Sequence, residues 1–405
     1  MLNKRKEATV KSSEVIIGLC FSCLLLAGCG SASVKPIKTD EAVAEPTSAS
    51  IKSNDAAAEP EVKTKKEAPS KFGRLKKRKV PSRPRSSRVI SKAFADNLLA
   101  VSKREADRFL KQGADANTIA ANGEPVLYSA LRVGFNDIAD KLVLYGADVN
   151  ATTRASRTAL HLAIDKGNAS FVRLLLENGA NANKSSNTGE TPLLMAIQRG
   201  QPGIVNSLLR YRADANKAGK GGNPLHLAIS KGQASIVGSL LKFGANANTG
   251  SPKGTPLQVV LKNGNVKIAE LLASSKADVN IADGIGETLL HKAAAKGQLG
   301  FAGVIIANGA NVNARDKFNE TPLHEAAAKG RLDVVKLLLS KGANIDARSE
   351  KSWTPLHEAA RFGHSATASY LVSRGARKNA TNSDGNTAKG LAKHLNHGEV
   401  IQVLK

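Results

Sequence analysis

The stretch TPLHEAAAKGRLDVVKLLLSKGAN, residues 321–344, decides how the rest of the chain is read. Thr321 followed by Pro322 is a helix start. The hydroxyl can accept from the backbone N–H of His324, and a proline at the first helical position gives up no donor that the helix needs. Leu323, Ala326 and Ala327 fall at helical spacing, and the small alanines predict close approach of a neighbouring helix. Gly330 ends this first helix. A second follows, with Asp333 in its first turn and Lys341 in its last, both favourable to the helix dipole. Val334, Val335, Leu337 and Leu338 supply its apolar face, and Gly342 provides the left-handed conformation that closes it. Two helices this short cannot survive alone, so the stretch needs copies of itself alongside.

The copies are present. The motif leucine recurs at Leu127, Leu160, Leu193, Leu225, Leu257, Leu290, Leu323 and Leu356, in steps of 32 or 33 residues. The closing signature recurs in step, as GADAN from Gly113, GADVN from Gly146, GANAN from Gly179 and Gly244, GANVN from Gly309 and GANID from Gly342. This pattern resembles the ankyrin repeat family, whose hallmark is a 33-residue period carrying a T-P-L-H-x-A core. The resemblance covers residues 93–405. It implies an all-α solenoid of stacked helix pairs with a β-hairpin or turn projecting from each joint. At the ends, FADNLLAVSKREADRFLKQGADAN lacks the Thr-Pro start, and GNTAKGLAKHLNHGEVIQVLK puts Ala388, Lys389 and Gly390 in place of Pro-Leu-His. Terminal units face water on one side and are atypical in this way, so eight full repeats between two capping units are expected.

Histidine fills one slot in five repeats, at His161, His226, His291, His324 and His357; Tyr128, Leu194 and Gln258 stand there in the other three. A catalytic pair is not duplicated at every period and then dropped. The ankyrin resemblance implies a structural bridge between neighbouring turns at these five positions. Nor do His324-Glu325 and His357-Glu358 make a zinc helix, because Ala328 and Arg361 stand where H-E-x-x-H needs its second histidine. No catalytic residue, cofactor or metal is expected.

The N-terminus reads as an address. All three cysteines, Cys20, Cys23 and Cys29, lie in the first thirty residues, so the repeats hold no disulfide, thiolate metal site or cysteine nucleophile. Lys4, Arg5, Lys6 and Lys11 form a basic start, and residues 15–28 are an apolar-to-small run too short to span as a transmembrane helix. The run ends in LAGC, which resembles the lipobox of bacterial lipoproteins: aliphatic, small, small, then a cysteine that is acylated and becomes the new N-terminus. The resemblance implies a signal peptide at 1–28 and lipidation of Cys29; two or three acyl chains suffice for stable anchoring. Gly30 follows the cysteine, rather than the aspartate that the family associates with inner-membrane retention. The expected location is the outer membrane of a bacterial envelope, facing the periplasm.

Residues 29–70 read as a lipidated N-terminus and disordered linker, and residues 71–92 as a disordered basic segment with ten basic residues and no acid. Arg74, Lys76, Lys77, Arg78, Lys79, Arg83, Arg85 and Arg88 are its candidate polyanion contacts, worth about 1 kcal/mol each near an anionic membrane. A plain solvated run is the competing reading. Of the formal charge of +25, this segment carries +10 and the repeats +14. KKRKV also looks like a nuclear localisation signal, but its position behind a lipobox argues against that and against nucleic acid as a partner.

In the ankyrin family, partners bind the concave side through the hairpin tips and the two residues before the glycine that ends the first helix. Carried onto this chain, those slots hold Arg132, Lys166, Arg199, Lys231, Lys262, Lys296, Lys329 and Arg361. With stacked helices about 8–10 Å apart, they predict a ladder of positive charge that would steer an acidic protein partner. Stabilisation of each helix end by its cation is the competing reason for their presence. At the tips, Arg154, Arg157, Lys220, Lys253, Arg315, Lys317, Phe318, Lys351 and Trp353 are the candidate contacts. Trp353, the one tryptophan of the chain, with Phe318 one repeat away, is the expected apolar anchor. Repeats 4 and 5 are each one residue shorter in the tip. The expected function is a non-enzymatic, lipid-anchored scaffold that holds a protein partner. The alternatives are an envelope-polyanion binder, taking lipopolysaccharide, cell-wall glycan or anionic lipid, and a secreted effector acting in a host cell.

Overall fold

The computed structural model describes residues 91–94 and 103–405; the expectations for residues 1–90, including Cys29 and the cations of the basic segment, lie outside the described residues. Eight helix pairs follow one another. The first helices are Val126–Val133, Ala159–Asp165, Pro192–Gln198, Pro224–Ser230, Pro256–Asn263, Leu289–Lys296, Pro322–Ala328 and Pro355–Arg361. Their partners are Asn136–Leu144, Ala169–Glu177, Pro202–Arg210, Ala234–Lys242, Val266–Ser274, Leu299–Ala307, Leu332–Ser340 and Ser365–Ser373. Lys103–Lys111 precedes the array, and Ala388–His394 with Gly398–Val403 closes it. First helices pack on first helices of the adjacent repeats, and second helices on second helices. The all-α stack of helix pairs expected from the 33-residue period is what forms.

The motif leucines make the shared core: each is buried, the most exposed retaining 3 % of its surface. The alanines of the first helices, such as Ala293, Ala326 and Ala359, are wholly buried between neighbouring helices. Burying each leucine contributes about 1.5–3 kcal/mol, yet each buries itself against the next repeat as well as its own. At the N-terminal end the ring of Phe94, also wholly buried, packs 5.9 Å from that of Phe109, whose helix Lys103–Lys111 packs on Asn136–Leu144 of repeat 1.

Two hydrogen-bond ladders run through the stack. In the first, the ring Nδ1 of His324 accepts from the N–H of Thr321 (3.1 Å) while Nε2 donates to the carbonyl of Trp353 in the next repeat (3.0 Å). His291 and His357 do the same with Glu320 and Asn386, and His226 Nε2 reaches Gly254. The bridging role implied for these histidines is seen at four of the five; Nε2 of His161 meets no acceptor in full hydrogen-bond geometry, although the Glu190 carbonyl still acts on its protonation. Where leucine replaces histidine, the Thr191 hydroxyl accepts directly from Leu194 N–H.

The second ladder uses the last residue of each closing signature. Oδ1 of Asn280 accepts from Asn311 N–H and its Nδ2 donates to the Gly309 carbonyl. The same pair of bonds is made by Asn117, Asn150, Asn183, Asn216, Asn248 and Asn313, so one side chain per repeat stitches it to the next.

The joints project as turns. Among the described residues they hold isolated antiparallel bridges, such as Ala282 with Thr288, and no extended strand pair. Backbone bonds link successive tips at Asn187 to Ala155, Lys220 to Gly189, Lys317 to Ile285, Glu350 to Phe318 and Ser383 to Lys351. None reaches the shortened tip of repeat 5 among the described residues, although the equally short tip of repeat 4 keeps its bond through Lys220.

Candidate partner-binding face

The first helices and the tips share one face, and the slot after each histidine position looks onto it. Along the stack that slot reads Ser129, Leu162, Met195, Leu227, Val259, Lys292, Glu325 and Glu358. It is apolar in the middle repeats and charged in the last three. A search for cations alone passes over this change of character, and Ser129, Leu162, Met195, Val259 and Glu358 are buried.

The cation slots at the ends of the first helices are exposed in all eight repeats, but their charges are unequally free. Arg132 pairs with Glu124 at 3.0 Å. Asp165 lies between Arg157 and Arg199 and takes an ion pair from each, so the predicted tip residue Arg157 and the predicted slot residue Arg199 neutralise one shared carboxylate. Lys166 Nζ donates to the Arg132 carbonyl and Lys262 Nζ to the Lys253 carbonyl. Lys231, Lys296 and Lys329 are exposed, and their ammonium groups make no hydrogen bond or ion pair within the described residues. The expected positive ladder is therefore strongest at three rungs, and the first repeats spend their arginines on internal acids.

At the tips, Arg154, Lys220, Lys253, Lys317 and Lys351 are exposed, and Arg315 donates to the carbonyls of Asn319 and Arg348. Phe318 keeps 46 % of its surface, with Lys317 Nζ 4.8 Å from its ring centre. Trp353 is half-buried. The Arg361 guanidinium lies 5.1 Å from its ring and equally close to that of Phe362, and His357 lies 6.0 Å away. No ring contact joins Trp353 to Phe318 among the described residues; the two tips are linked instead through Glu350 N–H and the Phe318 carbonyl, at 2.8 Å. The cation–π stack of Arg361 on Trp353 brings a slot residue and a tip residue together as one surface.

Against this basic background the last three repeats gather carboxylates. Burial, with the nearby charges of Glu358, Asp316, Glu325 and Glu287, pushes Glu320 up to about 7. Burial and the Glu287 charge raise Glu325, and burial raises Glu358 despite Arg361. Lys292 of repeat 6 pairs with both Asp283 and Glu287, but repeats 7 and 8 have glutamate in the slot that Lys292 fills. Among the described residues no group of three histidine, cysteine, aspartate or glutamate side chains has the geometry to hold a metal ion, and no helix is long and apolar enough to cross a membrane.

Comparison with known proteins agrees with the architecture. The family described as ankyrin repeats (3 copies) matches residues 98–186, 127–218 and 193–283. That described as ankyrin repeats (many copies) matches residues 290–339 and 323–372. No curated protein matches the chain. The matches cover most of the array that the helix pairs, the histidine bridges and the asparagine ladder build, and the chain belongs to the ankyrin repeat family.

Proposed function

We propose that the protein is a non-enzymatic scaffold, anchored by lipid at Cys29 in a bacterial envelope, that holds a protein partner on its first-helix face and tips. One observation carries the scaffold reading. The residues that repeat, above all the bridging histidines and the closing asparagines, are committed to joining one unit to the next. What varies from repeat to repeat lies on one face, and ankyrin repeats serve in general as protein–protein interaction modules. Anchoring rests on LAGC at residues 26–29 behind a basic start, and outer-membrane location on Gly30 after the cysteine.

Cross-linking in intact cells followed by mass spectrometry tests the reading. Recovery of a protein cross-linked to peptides containing Trp353, Phe318 or the first-helix slots is the expected result. Mass spectrometry of the mature chain is expected to find diacyl or triacyl Cys29 as the first residue. An unmodified Cys29 would remove the anchor and return the secreted-effector reading.

The ten cations of residues 71–92 favour a second reading, in which the chain binds lipopolysaccharide, cell-wall glycan or anionic lipid. A salt titration separates the two. Capture of a polyanion weakens steeply as ionic strength rises, whereas a partner seated on Trp353 stays bound.

A further inference from the structure

We infer that Arg361, bridging the rings of Trp353 and Phe362, is a carboxylate-recognition point on the partner-binding face, and that the protein partner presents an acidic segment to it. The inference rests on the scaffold reading for its ligand and gives that ligand a chemistry. It also adds Phe362 and His364 to the site.

The state of the guanidinium comes first. Three of the eight slots at the ends of the first helices hold arginine. Arg132 pairs with Glu124, and Arg199 with Asp165. Arg361 alone of the three makes no ion pair among the described residues, and its side chain donates no hydrogen bond there. Glu358, one turn earlier on the same helix, does not pair with it, and burial keeps that carboxyl raised. The charge of Arg361 is therefore left for a ligand or for water.

Placement comes second. The guanidinium carbon lies 5.1 Å from the ring centre of Trp353 and 5.1 Å from that of Phe362. No contact joins the two rings to each other among the described residues, so the guanidinium is what links them. Both rings are tied down in turn. The Trp353 carbonyl accepts from His324 of repeat 7, and its ring lies 6.0 Å from that of His357. The Phe362 ring stacks on His364 at 6.5 Å, and His364 Nε2 donates to the Ala328 carbonyl of repeat 7. Stacking covers the faces of a planar guanidinium and leaves its edge of N–H donors open. Rotamer freedom that a flexible lysine would lose on binding is already restricted here.

Ligand chemistry comes third. A coplanar edge of donors fits the two oxygens of one carboxylate, and such paired bonds are stronger and more directional than attraction to a point charge. The Phe362 ring, with 46 % of its surface exposed, offers an apolar wall to the methylene stem of a glutamate. Lys329 and Lys296, exposed and with unpaired ammonium groups, fill the same slot one and two repeats back. With stacked helices about 8–10 Å apart, they continue the charge along the face, which suits a run of acids.

Trp353 is the one tryptophan of the chain, so its emission reports binding at this point. The full chain is titrated with hexaglutamate at fixed, near-physiological salt. Hexaglutamine is the uncharged mimic, and dextran sulfate is a polyanion without carboxylates. Arg361→Lys keeps the charge and loses the planar stack, while Phe362→Leu keeps every charge. Arg374→Gln, just past the second helix of repeat 8, removes one charge elsewhere. A saturable emission change with hexaglutamate is expected, at least about tenfold tighter than with hexaglutamine. It should weaken about tenfold in Arg361→Lys and about threefold in Phe362→Leu, and stay unchanged in Arg374→Gln. Affinity equal to wild type in Arg361→Lys or in Phe362→Leu would overturn the site, because charge alone would then suffice. A response to dextran sulfate with none to hexaglutamate would overturn the acidic segment and assign Arg361 to a polyanion. The scaffold reading fails separately. Absence of every cross-linked protein with the hexaglutamate response intact removes the scaffold and leaves the site, and the converse result removes only the site.

Discussion

The Nε2 of His324 lies 3.0 Å from the carbonyl oxygen of Trp353, a residue 29 positions further along the chain and one repeat on. The same ring closes the cap of its own helix through Nδ1, so one side chain ends one hydrogen-bonding problem in each of two repeats. His324→Ala leaves both the Trp353 carbonyl and the Thr321 N–H without their partner, at a cost of about 3 kcal/mol. His226 bridges to Gly254 in the same way, but its helix is capped by the Asn223 side chain and its Nδ1 has no partner. His226→Ala is therefore expected to cost about 1 kcal/mol less. Urea unfolding of both variants checks this. Equal losses would mean that the threonine cap contributes nothing beyond packing.

The two kinds of buried group give opposite pH dependences. Burial drives His161 and His324 down to about 4 from an ordinary 6.5, so below pH 6.5 the unfolded chain takes up protons that the folded chain refuses. Their contribution to stability is complete above pH 6.5 and is lost as pH falls toward 4. Glu320 runs the other way. Held at about 7 against an ordinary 4.5, it is protonated in the folded state first, and its cost, present above pH 7, is relieved as pH falls toward 4.5. Glu320→Gln is accordingly expected to stabilise the protein at pH 8 by on the order of 1 kcal/mol, allowing for solvent screening of a half-buried group, and to change nothing at pH 4. Thermal melts of wild type and variant across this range check the sign. A gain that persisted unchanged at pH 4 would show that the carboxyl is not what the substitution relieves.

The architecture was legible because the period is a property of the whole chain. One helix pair read at residues 321–344 fixes the leucine of every other pair and the threonine cap and closing glycine of most; Pro125 and Asn223 cap repeats 1 and 4, and Arg212 and Lys276 close repeats 3 and 5. That the histidine is structural was legible too, through its recurrence and its irregular loss, whereas the bridge itself came from the ankyrin resemblance. Asn280 and its counterparts recur just as strictly, but asparagine in a closing loop reads as turn chemistry, and only the stacked geometry shows its two bonds reaching the next repeat. The charge of the face was read by counting. The sequence places a cation at the end of each first helix; it does not reveal that Arg157 and Arg199 converge on Asp165, because that contact joins residues 34 and 8 apart through folding. Glu358 hid for the same reason, since a glutamate on a short helix looks exposed until the neighbouring repeat buries it.

The asparagine ladder makes its own prediction. Asn280→Ala deletes one acceptor and one donor between repeats 5, 6 and 7, and because the site is exposed, water recovers part of the loss; about 1–2 kcal/mol is expected. Asn280→Asp keeps the acceptor for Asn311 N–H but cannot donate to Gly309, so about half of that loss remains. The chain already contains this change at its C-terminal end. Asp346 accepts from Arg377 N–H and uses its second oxygen for the Arg377 side chain, 3.5 Å away. Hydrogen exchange at Asn311 N–H reports the local bond, and protection unchanged in Asn280→Ala would show that the ladder is not closed in solution.

The glycine-rich tip of repeat 4 separates two reasons for a glycine. At Gly222 the backbone is left-handed, with φ at +86°, and an added Cβ would meet nothing within 4 Å. At Gly219 an added Cβ would press on the carbonyl oxygen of Gly189 and come within 2.7 Å of Leu194 Cδ1, because there the two tips touch. Gly222→Asn should be mild, since asparagine tolerates the left-handed region. Gly219→Asn has no such escape: it must push the tips of repeats 3 and 4 apart, breaking the Lys220 N–H bond to Gly189 at a cost of about 1–3 kcal/mol. If thermal melts rank the two substitutions the other way, close approach of the tips is not what selects glycine at Gly219, and the contact between repeats 3 and 4 must open in solution.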